Sequence, residues 1–376
     1  MKSDCIGTFS LRSIQLIDEK IRDCQDSSER LVLFAKRAGG LASHSYISEA
    51  KATVAELRQL NITFDPRLTG WINLSEGLIE HFETLDNKKA KNKFNRGLLV
   101  SQMVSDRELA GACAAWVAHC DFVDGKIGLA AINIINSFEW SLHNEHETRG
   151  RASMVLADAF NAIDQISTSR YWFRAARNHA SQAGNIAMQN VMLFNIAAYS
   201  VSRLTIDDCT LGASPSDRQR TAMEVASASN LNTALGILEL PTMVPTMQAE
   251  LHIVDRKWSQ AVEIFENHPS GIIQNSPARI IPKLISQRAW CHANLGNLAA
   301  AEADLNRALE VKANCTDDDD LAVLLFRLGR VGELIGKPEI ASSCLDAAKN
   351  HLSHFRTHQE KIREMLENVV DKIAGQ

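Results

Sequence analysis

A small residue followed four positions later by a bulky one recurs along this 376-residue chain with a step of forty. Ala50 stands with Val54, Ala90 with Phe94, and Ala130 with Ile134. Ser169 with Phe173 comes one residue out of step, and the beat resumes at Ala261 with Phe265, Ala301 with Leu305, and Ala341 with Leu345. Around the last two pairs the match extends further, Gly296 answering Gly336 and Ala308 answering Ala348. In a hairpin of two helices, a small residue early in the second helix lets the two backbones approach. A bulky residue one turn later fills the groove against the next hairpin. One such hairpin cannot bury its own apolar face, so the units must stack and share a continuous core.

The spacing therefore predicts an all-α chain, an α-solenoid of about eight stacked helix-turn-helix repeats with terminal capping helices. Residues 1–27 read as an amino-terminal cap, 28–350 as the array, and 351–376 as a carboxy-terminal cap. Phe173 and Phe265 lie 92 positions apart, room for one further hairpin carrying an insertion. The segment "TIDDCTLGASPSD", residues 205–217, is the richest in turn residues and is read as that insertion loop. Gly39-Gly40 reads as a helix stop. Ile362, Leu366, Val369 and Ile373 follow helical spacing near the carboxyl end. They either seal the last hairpin or form a seam between two copies of the chain.

The stretch "FRLGRVGELIGKPEIASSCLDAA", residues 326–348, resembles a tetratricopeptide repeat (TPR). Leu328-Gly329 stands for its L-G pair, and Ala341, Leu345 and Ala348 for its A-x3-F-x2-A run. The step of forty exceeds the roughly 34 residues usual for that repeat. In this it is similar to longer bacterial variants, those of Rap-type regulators and of the sensor arms of maltose-activator-like transcription factors. The first-helix tyrosine of the repeat is replaced by His81, His252 and His292, and its closing proline is largely absent. The resemblance implies a concave groove that takes a protein segment or peptide. It also implies, for a Rap-type protein, action on a partner through an amino-terminal bundle, to which no residues here correspond.

Composition narrows the function. A net charge of −5 argues against a protein that coats nucleic acid. No run of eighteen apolar residues free of charge occurs, so no membrane span is expected. The start lacks the apolar stretch of a signal peptide. Eight cysteines without a C-x-x-C pair read as buried thiols of a cytoplasmic protein.

Motifs for catalysis are missing: no G-x-S-x-G, no P-loop, and no G-x-G-x-x-G after a strand. The chain is read as no enzyme, with no cofactor. His351, His354 and His358 share a helical face, the basis of a third, metal-dependent enzyme reading. They lack a fourth ligand and the H-E-x-x-H arrangement, so no metal is assigned; His143 and His146 are weaker still. The run "TDDDD", residues 316–320, suits a helix amino terminus better than a cation loop. Lys89, Lys93 and Arg96, like Arg170, Arg174 and Arg177, read as solvated outer faces.

If first helices line the concave side, the inward positions include His119, Asp158, Asn161, Glu250, Trp290, Asn294, Arg330 and Glu333. An aromatic among amides and charges suits an extended peptide or a partner helix. Asn161 and Asn294 would bond its backbone, Arg330 would meet an acidic group, and Trp290 would anchor an apolar side chain. Two roles compete: a non-catalytic scaffold that holds a protein or peptide, and a peptide-responsive regulator that switches a partner.

Overall fold

A computed structural model describes residues 11–60, 65–84, 86–235 and 242–374. Among the described residues there is no strand, and no helix is long and apolar enough to cross a membrane. Cys5 and the first ten positions of the expected cap lie outside the described residues. The helices are α1 (Arg12–Asp23), α2 (Ser27–Ser43), α3 (Ile47–Leu60), α4 (Pro66–Thr84), α5 (Asn87–Val104), α6 (Arg107–Val123), α7 (Ile127–Trp140), α8 (His146–Ala162) and α9 (Ile166–Ala183). They continue as α10 (Ile186–Thr210), α11 (Pro215–Leu235), α12 (Met243–Val254), α13 (Trp258–Asn267), α14 (Ile272–Asn275), α15 (Ile281–Asn294), α16 (Leu298–Glu310), α17 (Asp318–Leu334) and α18 (Pro338–Ala374). The chain divides into two compact units, residues 1–192 with 362–376, and residues 193–361.

In the first unit α1 precedes four hairpins, α2/α3, α4/α5, α6/α7 and α8/α9. Side-chain caps start several of these helices: Asp26 accepts from the amides of Ser28 and Glu29, Asp86 from Lys89, and Asp106 from Leu109. The slot residues of the forty-step beat are buried, Ala50, Ala90 and Ala130 with Val54, Phe94 and Ile134. The out-of-step pair is buried too, and Ser169 Oγ donates to the Ala157 carbonyl at 2.9 Å, so a polar slot residue is satisfied inside its own hairpin.

Gly39 and Gly40 are not a helix stop. Both lie inside α2, where a Cβ on Gly39 would stand 2.7 Å from Leu78 and one on Gly40 3.0 Å from Ile14. Close packing of α1 and α4 on α2, not termination, is what these glycines permit. Of the carboxy-terminal stripe, Ile362, Leu366 and Val369 belong to this unit and are buried, and Ile373 is half-buried.

The second unit begins within α10. Ala197 and Val201 of α10, Val225 and Ala228 of α11, and Met247 of α12 form one core cluster. A larger cluster joins α12, α13, α15, α16, α17 and α18 around Ala261, Phe265, Ala301 and Leu305. Thr221 and Val225 stand forty positions ahead of Ala261 and Phe265 and are buried like them, a slot pair that the sequence hides behind a hydroxyl. The hairpin turns repeat as well. Gly296 and Gly336 adopt φ of +79° and +75°, and Arg256, one step earlier, adopts +61°. Gly takes that conformation without steric penalty.

The segment 205–217 is mostly helix. α10 continues to Thr210 and α11 starts at Pro215, leaving only 211–214 between them. The turn-like composition is that of a helix start: Ser214 Oγ accepts from the Asp217 amide at 3.1 Å and donates to its carboxylate at 2.6 Å, with Pro215 at the first helical position. At the other end α18 runs unbroken through 37 residues, so position 351 marks no new element.

Candidate functional site

In the first unit the first helices of the hairpins enclose a cavity of about 520 Å³, within the usual range for ligand pockets. Side chains of α1, α2, α4, α6 and α8 line it, together with the start of α10. Trp71 and Trp116 supply its aromatic faces. Lys36 lies 4.3 Å from the centre of the Trp71 ring and 2.6 Å from Glu108. Trp71 Nε1 donates to Asp106 at 3.1 Å, which fixes the indole.

On α8 the guanidinium of Arg151 lies 3.9 Å over the Trp116 ring. The residue is only 6% exposed. Burial brings its pKa down to about 10, an effect that Glu147 and Asp158 oppose, so it stays a cation at neutral pH. Glu147, four positions earlier on the same helix, accepts from Asn185 Nδ2 at 2.8 Å. The pKa of its carboxyl is raised, first by desolvation, although the residue as a whole is exposed. His81, Trp116 and His119 cluster beside Arg151, with His81 and His119 ring centres 5.1 Å apart. Desolvation, then Arg151, holds His81 down at about 4; desolvation, then His81 and Arg151, holds His119 well below the usual imidazole range.

The eight residues expected to form one groove fall into both units. His119, Asp158 and Asn161 belong to the first, where Asp158 and Asn161 are buried. His119 and Asp158 are the expected residues that gather electrostatically on Arg151, a residue the sequence reading missed. Trp71 and Arg151 stand two forty-residue steps apart, but that spacing does not mark the residue as a site.

The other five belong to the second unit. Glu250 is buried and already engaged, 3.3 Å from Lys283 and accepting from Gln287 at 3.4 Å. Lys283 also pairs with Asp320 at 2.8 Å. Gln287 accepts from Arg327 Nε at 3.3 Å, Arg327 pairs with Asp208 at 2.8 Å, and Asp208 pairs with Arg256 at 2.8 Å. Trp290 is half-buried, edge-on to Trp258 at 5.9 Å, and its buried Nε1 has no hydrogen-bond partner. Asn294 donates to the Trp290 carbonyl of its own helix at 2.8 Å. Arg330 and Glu333 are exposed and pair with each other at 2.9 Å.

The remaining candidates for chemistry are accounted for by contacts. His351 Nδ1 lies 2.7 Å from Asp318, and His146 shares a hydrogen bond with His179 at 3.0 Å. Among the described residues no group of three or more histidine, cysteine and acidic side chains is placed to hold a metal ion. In the acidic run Asp317 pairs with Arg279 at 2.7 Å, and burial followed by Asp320 pushes the Asp319 carboxyl up to about 6. The seven described cysteines are free, and burial pushes the thiols of Cys120, Cys291 and Cys315 up to about 12. Such thiols are poor nucleophiles.

No protein-family model matches the chain, and no curated protein matches it. Seventeen chains of known structure do match. One is a Rap protein complexed with Competence and Sporulation Factor, at a TM-score of 0.56 and 14% identity, with 92% of this chain and 99% of that one covered. At that identity the likeness concerns architecture: this chain has the all-α, TPR-like helical-repeat fold of a solved Rap protein.

Proposed function

We propose that this chain is a non-catalytic cytoplasmic scaffold that binds a peptide or an extended protein segment in the cavity of its first unit. The observation that carries the reading is the cavity itself, walled by helices one beat apart and furnished with Trp71, Trp116, Arg151 and the Lys36–Glu108 pair. Aromatic walls with a few fixed polar groups are features that a peptide-binding groove uses to hold an extended chain. Among the described residues, the raised thiol of Cys120 and the neutral His81 and His119, all close to Arg151, are not activated nucleophiles. The forty-residue step supports reading the array as one of the longer, bacterial-type tetratricopeptide-like repeats. In the second unit, the open side of Trp290 with Asn294, Arg330 and Glu333 is a separate candidate surface.

The solved neighbour of the same fold holds a second molecule, Competence and Sporulation Factor. That favours the regulatory version of the reading, in which a captured peptide alters what the scaffold does to a partner. Nucleic acid has no place in it, given the net charge of −5.

The test is retention of a randomised tetrapeptide library on the immobilised full chain, read by mass spectrometry. Retention is expected for the native chain and its loss for Asn144→Trp, which fills the cavity mouth from an exposed lining position. Equal retention by both would reject the cavity as the site. Small-angle scattering with and without retained peptide then separates a fixed scaffold from a switch.

A further inference from the structure

Arg151 is unusual among the buried cations of this protein. Arg37 lies 2.6 Å from Asp18, Lys283 meets Glu250 and Asp320, and Arg327 meets Asp208. Arg151 is about as buried as Arg37 and Arg327, yet its Nε has no hydrogen-bond partner, and it makes no ion pair among the described residues. The nearest acid along its helix, Glu147, is committed to Asn185. What holds the guanidinium is the face of Trp116, a contact that leaves the in-plane donors of the fork unused. Arg151 is one of the residues that line the cavity. A buried cation with no anion in contact, supported only at longer range by Glu147 and Asp158, is a costly arrangement, and proteins retain it chiefly where something else supplies the contact.

We infer that Arg151 is the anchor for a carboxylate carried by the molecule that occupies the cavity, so that the site selects acidic peptides. This rests on the peptide-binding reading above and sharpens it. A guanidinium fork matches a carboxylate in two parallel hydrogen bonds, and desolvation strengthens both. Trp116 fixes the plane of the fork beforehand, which lowers the ordering cost of binding. Of the other lining cations, Lys36 is already paired with Glu108 and Lys20 is exposed, so the discrimination falls to Arg151. The carboxylate has two sources in a peptide, an Asp or Glu side chain or the free carboxyl terminus.

Three tetrapeptide libraries decide the matter on the immobilised full chain: free-acid without Asp or Glu, amidated with Asp and Glu, and amidated without either. Retention of the first points to the terminal carboxylate and of the second to an acidic side chain, whereas the third, having no carboxylate, is expected to bind about tenfold or more weakly. Arg151→Gln should bring all three to the level of the third. Equal retention of all three by the native chain would overturn the inference while leaving the cavity reading standing. Retention of none would overturn both. Because the native chain alone supplies these outcomes, an Arg151→Gln chain that failed to fold would not shield the inference.

Discussion

Arg327 and Asp208, 119 positions apart in sequence, meet at 2.8 Å with their side chains only 4% and 2% exposed. Neither charge is acceptable without the other in so dry a place. Asp208→Ala should therefore destabilise the second unit by about 3–5 kcal/mol, measured by urea denaturation. Arg256→Ala removes a half-exposed partner of the same carboxylate and should cost about 1 kcal/mol or less. Equal losses for the two would show that the buried pair has no special standing.

Gly77 sits in the middle of α4, where alanine would ordinarily favour the helix by about 1 kcal/mol. Here a Cβ would come within 2.4 Å of the fully buried Phe94 ring. Gly77→Ala is expected to lose about 1–3 kcal/mol in thermal or chemical unfolding. Adding Phe94→Leu should recover part of that loss, and a double-mutant cycle measures how much.

Thr221 occupies the small-residue slot of the α10/α11 hairpin with a buried hydroxyl that has no hydrogen-bond partner. Most other slots hold alanine. Thr221→Ala should raise stability by about 1 kcal/mol or more, since an unsatisfied buried hydroxyl is a standing cost. A lower melting temperature for the variant would contradict the assignment of this position to the beat.

An unfolded histidine takes its proton near pH 6.5, whereas folded His81 stays neutral down to about 4. Between those values the unfolded chain binds more protons, so stability climbs with pH and falls as the solution is acidified. The contribution from His81 is fully present above pH 6.5 and lost on the way to pH 4. His119, held low by the same desolvation, acts in the same direction. Denaturation at pH 7 and pH 5 should show a deficit at the lower value that His81→Phe reduces.

The beat was legible because its slots use residues that differ in volume, and Ala90 with Phe94 or Ala261 with Phe265 needs no structure to be noticed. Thr221 escaped because a buried threonine looks polar on paper. Residues 205–217 misled because Ser, Pro and Asp serve equally to end a chain segment and to begin a helix; only the bonds of Ser214 to Asp217 tell which. Gly39-Gly40 misled for a related reason, since glycine marks both a helix end and a helix crossing. The site was less legible. Arg151 became visible only when Trp116 covered it and Glu147 turned to Asn185, relations that no spacing encodes. Glu250 looked available and proved to be internal wiring.

That wiring reaches further than one ion pair. Asp320, Lys283, Glu250, Gln287, Arg327, Asp208 and Arg256 follow one another from neighbour to neighbour, three acids against three bases with one amide between. Stacked hairpins ordinarily communicate only with those beside them, so such arrays can fray from one end. A chain of side chains that touches α10, α12, α15 and α17 binds four successive hairpins to a common fate. Amide protons in those four helices should exchange through a single opening event, giving this half of the molecule the all-or-none character of a globular domain.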